Sequence, residues 1–250
     1  MNNERFMRTE LILGQDGLRR LQEATVMIVG LGAVGGYSLE ALARAGVGHL
    51  ILVDFDIFDF SNINRQILAL TSTVGQKKVE VARKRVLEIN PECNVEIEDA
   101  FVNTCNLDKI LNRKIDFVID AIDSIKEKCD LISVLYQKKI PFISSMGAAL
   151  KTDVSSLKQV KLSQTAYCMM AKKIRQTLKQ KKIDVSKIDC VCSFEQTACA
   201  KKPIIKNPNG SKAILGSLST VTAVMGLYLA HHVILKISQG KDDASGAKVS

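Results

Sequence analysis

The residues "TVMIVGLGAVGGYSLEALARAGVGHLILVDFD" (25–56) contain three structural signals in series. An apolar run ends in glycine at residue 30, residues 34–45 carry small and apolar side chains at helical spacing, and HLILVD (49–54) is a second apolar run. Short apolar runs bounded by glycine are typical of buried strands, and strand–helix–strand series are typical of parallel sheets. This stretch therefore predicts two parallel strands joined by a helix.

The same alternation continues along the chain. A helical stripe spans residues 75–90, further strands are predicted at 94–100, 116–123 and 140–145, and a helix at 124–138. We therefore expect an α/β fold, a Rossmann-like and mostly parallel sheet flanked by helices, with a C-terminal basic α+β extension. Residues 1–147 would form the Rossmann-like region. Residues 148–250 would form the basic extension and a C-terminal helix, packed on the same domain.

Composition limits the classes of protein that fit. The chain has 250 residues, of which 46% are hydrophobic, which is enough for a full core. Its seven cysteines include no CxxC pair, which favours free thiols in a reducing cytoplasm and argues against a zinc site. Residues 213–235 lack charge and are long enough to span a bilayer, but their Ser and Thr residues and the His231-His232 pair favour a buried helix. We expect no membrane association and a structural role for the His pair.

The positive charge is concentrated in one part of the chain. The net charge is +9, and residues 151–212 alone hold 14 basic and four acidic residues. Concentrated positive charge attracts nucleic acids, although a solvated lysine-rich face is an equally good reading. The candidate nucleic-acid contacts are Lys172, Lys173, Arg175, Lys179, Lys181 and Lys182.

GLGAVG (30–35) has GxGxxG spacing between the first predicted strand and helix. The free N–H groups at a helix N-terminus bind phosphate, and Gly30, Gly32 and Gly35 allow the backbone to approach it closely. Asp54 ends the next strand, where an acid commonly accepts hydrogen bonds from ribose hydroxyls. These features predict a nucleotide site, and a nicotinamide dehydrogenase would fit them equally well.

Arg65 and Lys78 distinguish a triphosphate site from a dinucleotide site. Two cations beyond the ribose acid suit a nucleoside triphosphate under attack, because charge develops on the phosphoryl oxygens and on the leaving pyrophosphate. Asp123, after the strand at 116–123, is a candidate ligand of Mg²⁺. Ordinary alternatives stay open: Arg65 pairing with Asp56 or Asp59, Lys78 as a solvated helix residue, and Asp123 or Ser124 as a helix N-cap.

Five stretches together resemble the ThiF/MoeB superfamily of adenylating enzymes. They are RFMRTELILG (5–14), the glycine loop with its flanking strands (29–56), SNINRQ (61–66), VGQKKVEVARKRVLEINP (74–91) and DAIDS (120–124). The resemblance implies a dimer of Rossmann-like domains that binds Mg-ATP and adenylates a carboxylate, with residues 1–147 as the ATP-binding adenylation region.

The resemblance also implies roles for individual residues. The glycine loop would hold phosphates, Asp54 the ribose, and Asp123 the magnesium ion, while Arg8 would reach into the partner subunit's site. The implied ATP-binding set is Gly30, Gly32, Gly35, Asp54, Asp56, Asn62, Arg65, Gln66, Lys78 and Asp123. The implied catalytic set is Arg65, Lys78, Asp123 and Arg8.

Within the superfamily, the chain most resembles the tRNA threonylcarbamoyladenosine dehydratases. RTELILG (8–14), INRQILAL (63–70), DAIDSIKEKCDLI (120–132), and the pairing of DCVCSFE (189–195) with LGSLSTVTAVMG (215–226) carry this resemblance. It implies ATP-dependent cyclisation of threonylcarbamoyladenosine in tRNA by a cytoplasmic homodimer that uses ATP and Mg²⁺ without zinc. Sulfur-transfer proteins are further expected partners.

Three readings compete with this one. The chain is alternatively an adenylating activator of a ubiquitin-like sulfur-carrier protein, a non-catalytic nucleotide-binding subunit, or, more distantly, a dehydrogenase. Some relatives use a cysteine to take up the activated acyl group, which makes Cys190, Cys192 and Cys199 candidates. Packing as small apolar residues is the more common role of free cysteine.

Overall fold

The computed structural model describes residues 3–196, 205–206 and 213–239, and it confirms the predicted alternation of strands and helices. The strands are β1 (Thr25–Val29), β2 (His49–Asp54), β3 (Asn94–Asp99), β4 (Phe117–Asp120), β5 (Phe142–Ser145), β6 (Leu157–Lys161), β7 (Asp189–Ser193), β8 (Ile205–Lys206) and β9 (Ala213–Ile214). The α-helices are α1 (Met7–Glu23), α2 (Gly35–Ala45), α3 (Lys78–Ile89), α4 (Leu107–Ile110), α5 (Ile125–Lys138), α6 (Met169–Gln180) and α7 (Ser219–Gln239). Short 3₁₀ helices occupy Asn3–Phe6, Phe60–Asn62, Val154–Ser156, Leu162–Gln164 and Val185–Lys187.

Seven of the strands form one sheet in the order β3-β2-β1-β4-β5-β7-β6. All neighbours are parallel except β6, which runs antiparallel to β7 at the edge. The expected Rossmann-like, mostly parallel sheet is thus confirmed. The predicted boundary at residue 147 falls in the connection between β5 and β6, and the sheet continues on both sides of it.

Alternate residues of β1 enter different cores, because successive side chains of a strand point to opposite faces. Val26 and Ile28 pack in the cluster that includes α2, α3 and α7, whereas Met27 and Val29 pack in the cluster that includes α4 and α5. A third cluster joins α5, α6 and β7. The central strands are therefore buried on both faces, which explains their uninterrupted apolar sequence.

The last helix packs directly on the helix that follows the glycine loop. Ser38 Oγ in α2 donates a hydrogen bond of 2.8 Å to the Gly226 carbonyl in α7. A Cβ on Gly226 would lie 2.3 Å from the Val34 carbonyl oxygen, so only glycine permits this approach. Among the described helices, α7 alone has the length and apolar composition of a membrane span, and nine of its residues, including Val221 and Leu229, are buried.

Two elements differ from the sequence expectations. The apolar spacing of Met169, Ile174 and Leu178 predicts a helix over 166–180, but the helix begins only at Met169, because Tyr167 has a left-handed backbone with φ of 52°. Helix α1 was not expected, and it is interrupted at Gly14, where φ is 74°. It packs against α7 and completes that face of the molecule.

Candidate functional site

The predicted nucleotide residues lie at the carboxyl edge of the sheet. The glycine loop follows β1, Asp54 ends β2, and the loop that holds Asp123 follows β4, which pairs with β1. In open parallel sheets the carboxyl ends of the strands form the ligand-binding edge. The topology therefore brings three separate sequence motifs to one place.

The glycine loop is packed too closely to accept side chains at two of its positions. Gly30 has φ of 93°, a left-handed conformation, and a Cβ there would lie 2.8 Å from the Ala121 carbonyl oxygen. A Cβ on Gly35 would lie 1.8 Å from the Gly30 carbonyl oxygen. The Gly30 N–H donates to the Val53 carbonyl at 2.9 Å, which ties the loop to β2. The loop is therefore packed closely between β2 and the segment after β4.

Asp54 is buried and fixes this loop to the end of β2. Its Oδ2 accepts a hydrogen bond from the Leu31 N–H at 2.6 Å, and its Oδ1 accepts one from the Asp56 N–H at 2.9 Å. A carboxylate has about four acceptor positions, so two backbone bonds leave capacity for the hydroxyls of a ribose. Its position agrees with the expected ribose-binding role.

Lys78 is the first residue of α3 and is only 5% exposed, so the reading as a solvated helix residue is wrong. Its Nζ lies 3.0 Å from Asp56 Oδ2, and its N–H donates to the Asp56 carbonyl at 3.0 Å. The Nζ also lies 5.9 Å from the centre of the Phe58 ring. This ammonium group is held in place by a single half-exposed carboxylate, which a phosphate would have to replace or supplement.

Arg65 lies in the segment after β2 and does not form the ion pairs considered from the sequence. Its Nη1 donates to the Ser61 carbonyl and to Asn64 Oδ1, both at 2.8 Å. Asp56 instead pairs with Lys78, while Asp59 accepts from the Ser61 N–H at 2.8 Å, and the hydrogen bonds from Ser61 lower the pKa of Asp59. The Arg65 guanidinium therefore has only neutral partners among the described residues.

Gln66 is a buried amide whose acceptor is unused. Its Oε1 is one of two buried side-chain atoms in the described residues that have no hydrogen-bond partner; the other is His232 Nε2. Its Nε2 lies 3.8 Å from where a Cβ on Gly32 would be, beside the glycine loop. An unsatisfied buried acceptor costs about 1–3 kcal/mol, so its position points to a ligand that supplies the partner. Nearby, Asn62 Oδ1 accepts from the Asp59 N–H at 3.2 Å.

Asp123 is exposed beside this edge and is not the N-cap of α5, a position that Ser124 occupies. No group of three His, Cys, Asp or Glu side chains suited to a metal occurs in the described residues. Magnesium commonly binds one or two carboxylates and completes its shell with phosphate oxygens and water. The exposed Asp123 carboxylate offers one ligand of this kind.

A buried ion pair beneath the Asp123 loop was missed in the sequence. Asp120, Lys128 and Ser144 are fully buried, with Lys128 Nζ 2.7 Å and Ser144 Oγ 2.6 Å from Asp120 Oδ2. Asp120 Oδ1 also accepts from the Ile122 N–H at 3.1 Å, which fixes the start of the loop. The available signal was the position of Lys128 on the same helical stripe as Ile132 and Leu135.

Arg8 lies on α1 with its side chain exposed. Among the described residues, no hydrogen bond or ion pair joins it to the carboxyl edge of the sheet. Leu11 and Ile12 on the same helix are 79% and 85% exposed. Large apolar side chains exposed together commonly mark an interaction surface. The single chain thus does not place Arg8 in the nucleotide site.

The candidate tRNA contacts form two groups. Arg175 donates to the Thr165 carbonyl at 2.9 Å, and Lys181 pairs with Asp130 at 2.7 Å. Lys172, Lys173, Lys179 and Lys182 are exposed. The free surface of α6 is therefore strongly basic.

The candidate cysteines and the His231-His232 pair differ in their burial. Cys190 and Cys192 are buried in β7, and Cys199 lies outside the described residues. Gln159 donates to His232 Nδ1 at 2.7 Å, and the His232 ring packs edge-on against Phe117. This buried position agrees with the structural role expected for the His pair, whose other member, His231, is exposed.

Three comparisons with known proteins bear on these observations. The model of the ThiF family matches residues 4–249. A Bacillus subtilis tRNA threonylcarbamoyladenosine dehydratase is 36% identical over 239 residues, covering 93% of this chain and 94% of the relative. The solved structure of the Escherichia coli tRNA N6-threonylcarbamoyladenosine dehydratase in complex with ATP has a TM-score of 0.87 and 33% identity, covering 98% and 97% of the two chains. An Escherichia coli molybdopterin-synthase adenylyltransferase is 37% identical, but covers only 55% of this chain and 54% of the relative.

Proposed function

Since this chain belongs to the ThiF family, as its motifs predicted, we propose that it is an ATP-dependent dehydratase that adenylates and cyclises threonylcarbamoyladenosine in tRNA. The observation that carries the proposal is the convergence of the fixed glycine loop, Asp54, buried Lys78 and the unpaired Gln66 acceptor at one sheet edge. A nucleoside triphosphate supplies partners for all four.

The likeness to the dehydratases favours tRNA over a carrier protein as the substrate. It extends over more than nine tenths of both chains, whereas the likeness to the molybdopterin-synthase adenylyltransferase covers about half of each. The nucleotide residues of this chain lie between Gly30 and Asp123, and the exposed lysines of α6 lie outside this region, where a tRNA could be distinguished from a carrier protein.

The reaction follows from the weak electrophilicity of a carboxylate. The free carboxylate of the threonylcarbamoyl group attacks the α-phosphorus of ATP, which forms an acyl-adenylate and releases pyrophosphate. A neighbouring atom of the same modified base then attacks the acyl carbon and expels AMP, which carries away one carboxylate oxygen. The net change in the tRNA is the loss of one water, and ATP becomes AMP and pyrophosphate.

The protein contributes positioning and charge to both steps. Lys78 and Arg65 would neutralise charge on the phosphates, and Asp56 would position Lys78 through the 3.0 Å ion pair. The glycine loop, Asn62 and Gln66 would orient the phosphates, and Asp54 the ribose. Asp123 would hold Mg²⁺, which neutralises phosphate charge when it is bound.

We further propose a cytoplasmic homodimer in which Arg8 acts in the partner's site. The exposed Leu11 and Ile12 on the helix that carries Arg8 support a buried contact there. To test this, Arg8→Ala subunits are mixed with Lys78→Ala subunits, since some sites in the mixed dimer would be complete. Partial recovery of activity is expected, and a verified mixed dimer without recovery would contradict action in trans.

The central experiment measures nucleoside masses in tRNA that contains threonylcarbamoyladenosine, incubated with the purified chain, ATP and Mg²⁺. We expect the modified nucleoside to lose the mass of one water. Lys78→Ala and Arg65→Ala should each slow this by about 10²-fold or more, since each removes a cation from the transition state. Lys77→Ala is the matched control, because Lys77 is exposed and pairs with Asp99 outside this group.

Two outcomes would support the competing functions. Pyrophosphate exchange that requires a small carrier protein ending in Gly-Gly, and does not respond to tRNA, would identify a sulfur-carrier activator. Binding of ATP that is unaffected by Lys78→Ala, with no change in tRNA, would identify a non-catalytic subunit. Binding of a nicotinamide cofactor in place of ATP would favour a dehydrogenase.

A further inference from the structure

Lys151 lies in the connection that leaves β5 at the carboxyl edge of the sheet, the edge that also holds the nucleotide residues. It is only 4% exposed, and its Nζ donates to the Tyr167 carbonyl at 3.1 Å and to the Glu195 carbonyl. An ammonium group has three N–H donors, so these two bonds leave one donor free. The side chain is therefore held in place by neutral acceptors alone.

Three lysines are buried in the described part of the chain, and Lys151 differs from the other two. Lys128 Nζ lies 2.7 Å from an oxygen of Asp120, and Lys78 Nζ lies 3.0 Å from an oxygen of Asp56. Lys151 forms no ion pair with any described residue, although it is as buried as Lys78. Removing a charge from water is costly unless an opposite charge compensates it, so the missing carboxylate points to a ligand.

The carboxylate of Glu195 is already occupied by other groups. Its Oε2 accepts from the Thr152 N–H at 2.7 Å and from the Asp153 N–H at 2.9 Å, and its Oε1 accepts from the Thr152 hydroxyl at 2.9 Å. The N–H groups of Asp153 and Thr152 lower the pKa of Glu195. This carboxylate therefore fixes the segment after Lys151, and only the Glu195 carbonyl bonds to the ammonium group.

The backbone around this ammonium group has an uncommon conformation. Leu150, directly before Lys151, has φ of 64°, and Tyr167, whose carbonyl accepts from Lys151, has φ of 52°. Residues other than glycine rarely adopt this left-handed region, and those that do are found most often at functional sites. Both left-handed residues here help to position the same lysine.

A short segment before α7, residues 216–217, links Lys151 to the loop that holds Arg65. The Leu150 N–H donates to the carbonyl of residue 216 at 2.9 Å, and Asn64 Nδ2 donates to the carbonyl of residue 217 at 3.4 Å. Asn64 Oδ1 in turn accepts from Arg65 at 2.8 Å. The loop with the expected phosphate-binding arginine and the loop with the unpaired lysine are thus joined through one segment.

We propose that Lys151 binds the carboxylate of the threonylcarbamoyl group, an inference that rests on the proposed function. One carboxylate oxygen accepts the free N–H of Lys151, and the other remains available to attack the α-phosphorus of ATP. A bond between an ammonium group and a carboxylate is about twice as strong as one between neutral groups. Lys151 is thus a specificity-determining residue, which distinguishes tRNA that carries the threonylcarbamoyl group from tRNA that lacks it.

The test measures the binding of two tRNAs that differ only in the threonylcarbamoyl group. Mg²⁺ and an ATP analogue with a methylene group between its α- and β-phosphates are present, so that binding is measured without reaction. We expect the parent protein to bind the modified tRNA about tenfold more tightly or better, and Lys151→Gln to bind both tRNAs equally. Lys151→Arg keeps the charge and should retain part of the preference.

The variants are chosen to separate charge from folding. The Gln amide can still donate to the two carbonyls, and Lys151→Met is a second uncharged variant that leaves no acid without its partner. Thermal unfolding establishes that each variant is folded. Lys158→Gln is the matched control, because Lys158 is exposed on β6 and its loss should weaken both tRNAs by the same small factor. An undiminished preference for the modified tRNA in folded Lys151→Gln and Lys151→Met would overturn the proposal.

A second measurement separates this proposal from the proposed function. The ATP affinity without tRNA should be the same in the parent protein and in Lys151→Gln, whereas kcat/KM for the modified tRNA should fall by about 10- to 100-fold in the variant. A parent protein that removes no water from the modified tRNA would contradict the proposed function itself. An active parent with an equally active Lys151→Gln variant would contradict only the role of Lys151.

Discussion

The carboxyl edge of the sheet and the surface of α6 hold their charges in opposite ways. At the sheet edge Asp54, Lys78 and Asp120 are buried, and each is fixed by bonds to other parts of the protein. On α6 and in the two residues after it the lysines are exposed, and only Arg175 and Lys181 of the six candidates have partners among the described residues. The difference matches two kinds of ligand: a small triphosphate needs one fixed geometry, whereas a large polyanion is attracted by mobile charges.

The sharpest test of the fixed edge is Gly35→Ala. The added methyl would overlap the Gly30 carbonyl oxygen, since an ideal Cβ lies only 1.8 Å from it. We expect a loss of more than about 4 kcal/mol in the free energy of unfolding, together with the loss of ATP binding. Gly32→Ala is the matched control for stability, because the nearest atom is 3.8 Å away. Thermal unfolding and ATP titration measure both, and equal stability of the two variants would show that the loop adapts.

The next test removes the buried cation below the edge. Lys128→Met leaves the Asp120 carboxylate buried without its ammonium partner, which typically costs about 3–5 kcal/mol. Lys126→Met, on the exposed side of the same helix, should change stability by less than about 0.5 kcal/mol. Chemical denaturation compares the two. The double variant Asp120→Asn with Lys128→Met should recover much of the loss, and its failure to do so would mean that packing dominates.

The basic surface is tested by replacing Lys172, Lys173 and Lys179 with Gln. We expect tRNA affinity to fall by about tenfold and the salt dependence of binding to become shallower by about 2–3 in log–log slope, because about three phosphate contacts are lost. The ATP affinity should not change. Replacing the exposed Lys84, Lys109 and Lys114 with Gln removes the same charge elsewhere, and an equal effect of this control would mean that net charge alone attracts tRNA.

The smallest expected effect concerns His232, a buried polar residue in the later half of the chain. Burial lowers the pKa of His232, so the unfolded chain takes up a proton near pH 6.5 while the folded chain resists it. Stability from this group is present above that pH and is lost as the pH falls, with a slope of at most about 1.4 kcal/mol per pH unit. Subtracting the pH profile of His232→Gln from that of the parent isolates this slope, and identical profiles would contradict it.

Local sequence patterns were enough to predict the residues at the carboxyl edge of the sheet, but not the buried residues that hold them in place. The glycine loop, Asp54 and Lys78 could be found because each directly follows or begins a recognisable strand or helix. The Asp120–Lys128 pair could not, since a lysine within a helix is normally read as solvent-exposed, and its burial depends on the packing of α5 over β4 and β5. Strand β7 was missed because five residues give little periodicity, and its partner strands β5 and β6 come from other parts of the chain.

The contact between α2 and α7 affects how the protein can fold while it is being synthesised. The Ser38–Gly226 hydrogen bond joins residues 188 positions apart, so the helix behind the glycine loop stays uncovered until the ribosome has released α7. Contacts between such distant residues form late and leave apolar surface open meanwhile. A nascent chain that ends before residue 219 should therefore depend on chaperones and bind ATP weakly, even though its whole nucleotide motif has already been translated.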